Sequence, residues 1–339
     1  MIFPDQYCSQ GDAVSLLLKQ AREDNMTHAL LITGEAGMGK WTLARGIASA
    51  LLCQHEDPAR RPCGNCLSCI QMENLTHPDL IVIQKGEPLV PTDTKNNIPV
   101  SDINEMIRRV SLQGYEGNRH VVIIRHAEDM RPDAQNKLLK TLEEPPEGTF
   151  FLLTCPETDL LLPTIVSRCR PLRLHRRGTE EILRILEENG FEDRDRMIVA
   201  AEESEGAIGQ ALHMMEDDTF WAFREQVRKD FLACVRRSDV IQISARWKER
   251  KDDTPRLFAM LGNLFSRMMR ISLDSSGTSS DWIRELPEKW QSFIRRANGK
   301  DYIQLFDALS LASQRTKNQV NLQTVIEQLL FSLMEAVDL

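Results

Sequence analysis

The sequence predicts an α/β fold for the first half of the chain, a parallel sheet covered by helices on both faces, with all-helical segments after it. Two observations carry this. Short apolar runs alternate with segments of helical period over residues 1–173, and a glycine-lysine loop directly follows the first of those runs. From about residue 217 onward every strong periodic signal is helical.

The first strand is Ala29-Leu30-Leu31-Ile32. Next comes Gly34-Glu35-Ala36-Gly37-Met38-Gly39-Lys40, whose spacing lets backbone N–H groups cradle phosphates while Lys40 reaches the outer ones. Leu43, Ile47, Ala48 and Leu51 then recur at helical spacing, giving the order strand, loop, helix. A hydrolysing site needs a Ser or Thr hydroxyl after the lysine to hold Mg²⁺; here the residue is Trp41. Thr42 does not replace it, because one step along a helix turns a side chain by about 100°.

Eight cysteines are present, and Cys53, Cys63, Cys66 and Cys69 form a C-x₉-C-x₂-C-x₂-C cluster. In a reducing compartment such spacing reads as a closed tetrahedral zinc site, structural because four sulfurs leave no open position for water. Unrelated buried thiols or an iron–sulfur cluster is the alternative. Cys8, Cys155, Cys169 and Cys234 are dispersed and read as core thiols.

Further strands are expected at 80–83, 121–124 and 150–154, with a loop over 84–99. Ser101 is the expected N-cap of a helix bearing Ile103, Met106, Ile107 and Val110 on one face. A metal-dependent phosphoryl-transfer site also needs an acid at the tip of a second strand. The matching strand ends in Arg125-His126, and an arginine opposes a bound cation. Glu128 and Asp129 lie roughly 10 Å or more beyond that tip if the chain is extended, and read as surface charges. His126 has no evident partner in the sequence. Residues 136–146, N-K-L-L-K-T-L-E-E-P-P, read as a helix that Pro145 and Pro146 stop; Glu143 and Glu144, about 100° apart, make a poor catalytic pair. Arg168, in Ile165-Val166-Ser167-Arg168-Cys169-Arg170, suits either a solvated charge or an arginine finger, a planar cation offered to a phosphate held by another subunit.

Three domains are expected: 1–173 with the cysteine module at 53–69, a small helical domain at 174–215, and a helical domain at 216–339. The second begins with Ile182, Leu183, Ile185 and Leu186 on one helix and Gly190 as its stop. In the third, Leu257, Leu261, Leu264, Phe265 and Met268, and again Leu322, Val325, Ile326, Leu329, Leu330 and Leu333, are core stripes, and the Ser/Gly/Thr run 275–280 is a loop. With 50 acidic and 42 basic residues the formal charge is −8, which argues against an autonomous nucleic-acid binder. Residues 1–5 do not read as a signal peptide, and no apolar run approaches about 18 residues, so a cytoplasmic location is expected.

His28-Ala29-Leu30-Leu31, the four cysteines, Thr76-His77-Pro78-Asp79, the 138–146 segment and Ser167-Arg168-Cys169 together resemble the bacterial clamp-loader branch of the AAA+ ATPases, in order and spacing, across the first two domains. The resemblance implies an AAA+ P-loop domain with a zinc insertion, a small helical lid domain and an oligomerising helical collar. That branch holds ATP-hydrolysing motor subunits (gamma/tau) and largely inactive delta-prime subunits of DNA polymerase III. The motor pattern demands a hydroxyl at 41, Asp-Glu at 125–126 and an arginine in the lid's glycine-containing helix; this chain has Trp41, Arg125-His126 and Gly209. It therefore resembles the non-hydrolysing type. Lys40 and the intact Gly34, Gly37 and Gly39 leave passive ATP or ADP binding open.

The resemblance further implies that Arg168 acts in trans on a neighbour's ATP and that Cys53, Cys63, Cys66 and Cys69 bind Zn²⁺. Implied partners are motor and delta subunits in a hetero-pentamer, the sliding clamp, and primed DNA through the assembly, with no membrane. An ATP-hydrolysing motor subunit and a zinc-dependent nucleic-acid adaptor are the competing readings.

Overall fold

The computed structural model describes residues 12–91, 96–112, 114, 119–234, 236–249, 253–273, 286–317 and 320–337. Residues 1–5, Cys8, positions 92–95 of the expected loop and the 275–280 run lie outside the described residues. The chain forms two compact units, residues 1–216 and 217–339.

The first unit is built on a five-stranded parallel sheet: β1 (Ala29–Thr33), β2 (Leu80–Ile83), β3 (His120–Ile124), β4 (Thr149–Cys155) and β5 (Arg170–Arg173), in the order β2-β3-β4-β1-β5. Its strands read as apolar runs because both faces are covered. Alternate residues serve opposite sides. Leu30, Ile32, Val121, Ile123 and Leu152 pack with Leu17, Leu43, Ile47 and Leu51 from helices α1 (Asp12–Arg22) and α2 (Lys40–Leu52). Leu31, Val122, Ile124, Phe151 and Leu153 pack with Ile103, Met106, Leu138, Leu142 and Ile165 from α4 (Val100–Val110), α5 (Pro132–Glu143) and α6 (Pro163–Val166). Helix α3 (Leu67–Glu73) joins α2, where the Ser68 hydroxyl donates to the Leu52 carbonyl at 2.6 Å.

Two details differ from expectation. The strand β5 was not foreseen, because Arg-Pro-Leu-Arg buries only Leu172; it is an edge strand beside β1, where Pro171 is tolerated. Ser101 is not the cap of α4. The helix starts at Val100 after Pro99, with no side-chain cap, and the Ser101 hydroxyl is buried inside the first turn without a partner.

Helices α7 (Thr179–Glu188), α8 (Arg194–Glu203) and α9 (Ile208–Glu216) complete the unit. Ile182, Ile185 and Leu186 are buried, and Gly190 takes a left-handed conformation just past the end of α7.

In the second unit the described residues form α10 (Asp218–Ala233), α11 (Arg237–Glu249), α12 (Thr254–Leu273), α13 (Glu288–Arg296), α14 (Gly299–Lys317) and α15 (Leu322–Val337). Both expected stripes face the core, with Leu264 and Leu322 only half-buried. Leu257, Leu261, Phe265 and Met268 are buried on α12, and Val325, Ile326, Leu329, Leu330 and Leu333 on α15. Phe231 and Trp290 meet at 4.6 Å between ring centroids. Among the described residues no helix is long and apolar enough to cross a membrane.

Candidate functional site

The glycine loop leaves β1 at the carboxyl edge of the sheet, between β4 and β5, where a parallel sheet offers its ligand crevice. Gly34, Gly37 and Gly39 all have positive φ (146°, 77° and 86°), so the loop has the backbone its spacing implies. Lys40, however, is buried and turned onto the loop itself. Its ammonium donates to the Glu35 carbonyl at 2.8 Å and to the Gly34 carbonyl. Burial lowers its pKa, and the Glu128 carboxylate opposes that shift.

Glu128 is thus the residue the sequence misplaced. It is not a freely solvated charge: a left-handed His126 (φ 51°) and the turn Ala127–Asp129 fold the chain back, so the extended-chain distance does not apply. One Glu128 oxygen is buried, and the other lies 3.2 Å from His126 Nδ1, which gives His126 the partner the sequence did not reveal.

The two departures at the metal position form one object. The Arg125 guanidinium lies 4.4 Å from the centroid of the half-buried Trp41 ring and donates to Gln84 Oε1 at 2.5 Å. Such a pair contributes about 0.5–2 kcal/mol, more as it is desolvated. Arg125 is buried enough that desolvation lowers its pKa. An aromatic ring and a guanidinium therefore meet where a hydroxyl and a carboxylate would have to converge on Mg²⁺.

The third departure also has a structural cause. The Gly209 N–H donates to the Gly37 carbonyl at 2.7 Å, so α9 is seated on the phosphate loop. A Cβ at Gly209 would lie 2.9 Å from that carbonyl oxygen, and one at Gly37 would lie 3.2 Å from the Ala207 Cβ. An arginine at 209 is excluded by backbone contact in this arrangement. Arg176 spans the same junction, pairing with Glu205 at 2.8 Å and with Glu35. A cleft of about 490 Å³ borders the loop, lined by Glu35, Glu157 and Asp159 as well as Arg173, His175 and Arg176, a mixed charge set.

Arg168 lies at the turn between α6 and β5, away from the loop's lysine in sequence and partly exposed. Its Nε donates to Glu143 Oε1 at 2.7 Å and its Nη1 to the Thr164 carbonyl at 2.8 Å.

The four clustered cysteines converge. Cys53 ends α2, Cys66 caps α3, Cys69 sits in the first turn of α3, and their four sulfurs lie within 4.8 Å of one another. The Cys53–Cys66 and Cys63–Cys69 separations are 3.9 and 4.0 Å. Those are close to the ~3.8 Å edge of a tetrahedron with metal–sulfur bonds of about 2.3 Å. Backbone N–H groups of Cys63, Cys66 and Cys69 point at the sulfurs from 3.4–3.5 Å, as thiolate ligands require. The cluster can bind a metal ion. Cys155, Cys169 and Cys234 are buried, and burial pushes their thiols up to about 11, 12 and 11, consistent with inert core residues.

A family model described as "DNA polymerase III, delta subunit" matches residues 9–177. The DNA polymerase III subunit delta′ of Escherichia coli (strain K12) is 34% identical over 198 residues, 58% of this chain and 57% of that protein. Over this stretch the chain is similar to proteins named subunit delta′ of DNA polymerase III. Subunit delta′ of Pseudomonas aeruginosa is 39% identical over 142 residues, 42% of this chain and 41% of that protein. The match to subunit tau/gamma of Haemophilus influenzae, 30% identical over 214 residues, covers 61% of this chain but 29% of that longer protein. The alignments span less than two thirds of the length of these delta′ relatives.

Proposed function

We propose that this chain is a non-hydrolysing subunit of a DNA polymerase III clamp loader. It joins motor (gamma/tau) and delta subunits in a cytoplasmic hetero-pentamer that opens the sliding clamp and places it on primed DNA. The observation that carries this is the Arg125–Trp41 stack, which puts a cation and an aromatic ring where Mg²⁺ would have to sit. With Lys40 bonded to its own loop and α9 seated on Gly37, the chain's contribution lies outside its own phosphate site.

That contribution is Arg168, offered in trans to the γ-phosphate of ATP on a neighbouring motor subunit. A planar guanidinium fits a phosphate by paired N–H donors, and such a finger raises turnover by about 10³–10⁵. Cys53, Cys63, Cys66 and Cys69 hold a structural Zn²⁺, which ties the loop between α2 and α3 to the ends of both helices. The net charge of −8 suits a subunit whose DNA contact is made through the assembly, to the phosphate backbone and without sequence preference.

The test is ATP binding and hydrolysis by the isolated chain and by the reconstituted assembly. The isolated chain with Mg-ATP is expected to be silent, and Arg168→Ala is expected to lower turnover of the assembly while leaving assembly intact. Hydrolysis by the isolated chain that Lys40→Ala abolishes would instead identify a motor subunit.

A further inference from the structure

We infer that Glu143 is a stowing partner for Arg168, one that a neighbour's triphosphate must displace before the arginine can act. This rests on the reading of Arg168 as a finger in trans.

The Arg168 guanidinium has four of its five N–H donors engaged within this chain. Its Nε donates to Glu143 Oε1 at 2.7 Å and its Nη2 to the same oxygen, while its Nη1 donates to the Thr164 carbonyl at 2.8 Å and reaches Ser167 Oγ at 3.3 Å. The Nε/Nη2 edge is one of the forks a phosphate uses, and Glu143 takes it. The Thr164 and Ser167 contacts hold the other nitrogen and remain when the carboxylate leaves. Glu143 therefore competes with an incoming phosphate and does not share the arginine with it.

Glu143 is the last residue of α5, and a carboxylate there faces the negative end of the helix dipole. Arg168 is the ion-pair partner the structure gives that carboxylate. The pair is also weak enough to open. Side-chain exposures are 32% for Arg168 and 48% for Glu143, so solvent screens the attraction. A multiply charged phosphate outcompetes a half-exposed carboxylate, whereas in its absence the long arginine side chain is held in one place.

The experiment uses the assembly reconstituted from full-length subunits, with this chain as wild type, Glu143→Gln, Glu143→Asp, Arg168→Ala or the double variant. Glu143→Gln keeps the side-chain shape and removes the charge. It is expected to raise kcat/KM for ATP by about 1.4- to 5-fold, the range of an exposed ion pair. The difference from wild type should shrink with added salt, Glu143→Asp should fall nearer wild type, and Glu143→Gln should do nothing in the Arg168→Ala background.

An unchanged or lowered kcat/KM for Glu143→Gln, with its thermal midpoint as wild type, overturns the stowing role. If Arg168→Ala lowers turnover while Glu143→Gln is silent, the finger stands and only the stowing fails. If Arg168→Ala leaves turnover unchanged, the finger itself fails, and the stowing with it.

Discussion

Replacing Gly209 by alanine probes whether α9 is clamped to the phosphate loop. Alanine is the better helix former, by up to about 1 kcal/mol. On an unobstructed helix the substitution should stabilise. Here the new Cβ would stand 2.9 Å from the Gly37 carbonyl oxygen, a backbone atom and so not one that a rotamer change can move aside. Gly37 is itself held at φ 77°, so relief must come from separating α9 and the loop. That lengthens the 2.7 Å bond from the Gly209 N–H. Overpacking of this kind costs about 1–3 kcal/mol, and the weakened hydrogen bond about 1 kcal/mol more. After the propensity gain the net loss is about 1–3 kcal/mol, a fall of roughly 2–12 °C in the midpoint of the first unit. Hydrogen exchange at 34–40 and 207–212 should quicken together. Gly299→Ala, in a helix and with no atom within 4 Å of the new Cβ, is the control and should leave stability unchanged or raise it by up to about 1 kcal/mol. If Gly209→Ala leaves the midpoint unchanged or raises it, the contact is not tight and the clamp does not exist.

Three other outcomes are expected. A double-mutant cycle of Trp41→Ala and Arg125→Ala should give a coupling of about 0.5–2 kcal/mol in urea unfolding; additive single effects would mean the stack contributes nothing. Metal removal by a chelator, or Cys69→Ser, should lower the thermal midpoint and the bound-metal content together, with one equivalent of tetrahedral zinc in the untreated chain; a chelator-insensitive midpoint would rule out a structural ion. Asp24 pairs with Arg61 at 2.8 Å and Arg119 at 2.6 Å. Burial alone would raise its pKa, but those hydrogen bonds outweigh it and the pKa is lowered from 3.8. A depressed folded pKa means stability present above the unfolded value and lost as pH falls through the folded one. Asp24→Asn should therefore lack part of the wild-type acid-unfolding limb below about pH 4, and superimposable limbs would contradict the pairing.

Features carried by neighbouring residues were legible in the sequence. Ala29-Leu30-Leu31-Ile32, the loop after it and the apolar positions of α2 are one continuous stretch, and hydrophobic period reports burial within such a stretch. The cysteine spacing was readable for the same reason, since x₂ intervals bring sulfurs together by local geometry. Where the chain reverses, local reading failed. Glu128 was measured along an extended chain although a left-handed residue turns it toward Lys40, and β5 was missed because an edge strand of Arg-Pro-Leu-Arg carries almost no apolar signal.

By itself the sequence determined a phosphate-loop α/β domain with Trp41 and Arg125 at the hydroxyl and acid positions, and the resemblance to clamp-loader motors implied that Gly209 stands at an arginine position. Only the tertiary structure decided what each of these residues touches. Trp41 and Arg125 stack on each other, Gly209 is the residue that lets α9 touch the loop, and Arg168 meets Glu143. The physical reason is that short-range order is written in consecutive residues, whereas contacts between distant segments arise only when the sheet and its helices bring them within hydrogen-bond or van der Waals reach.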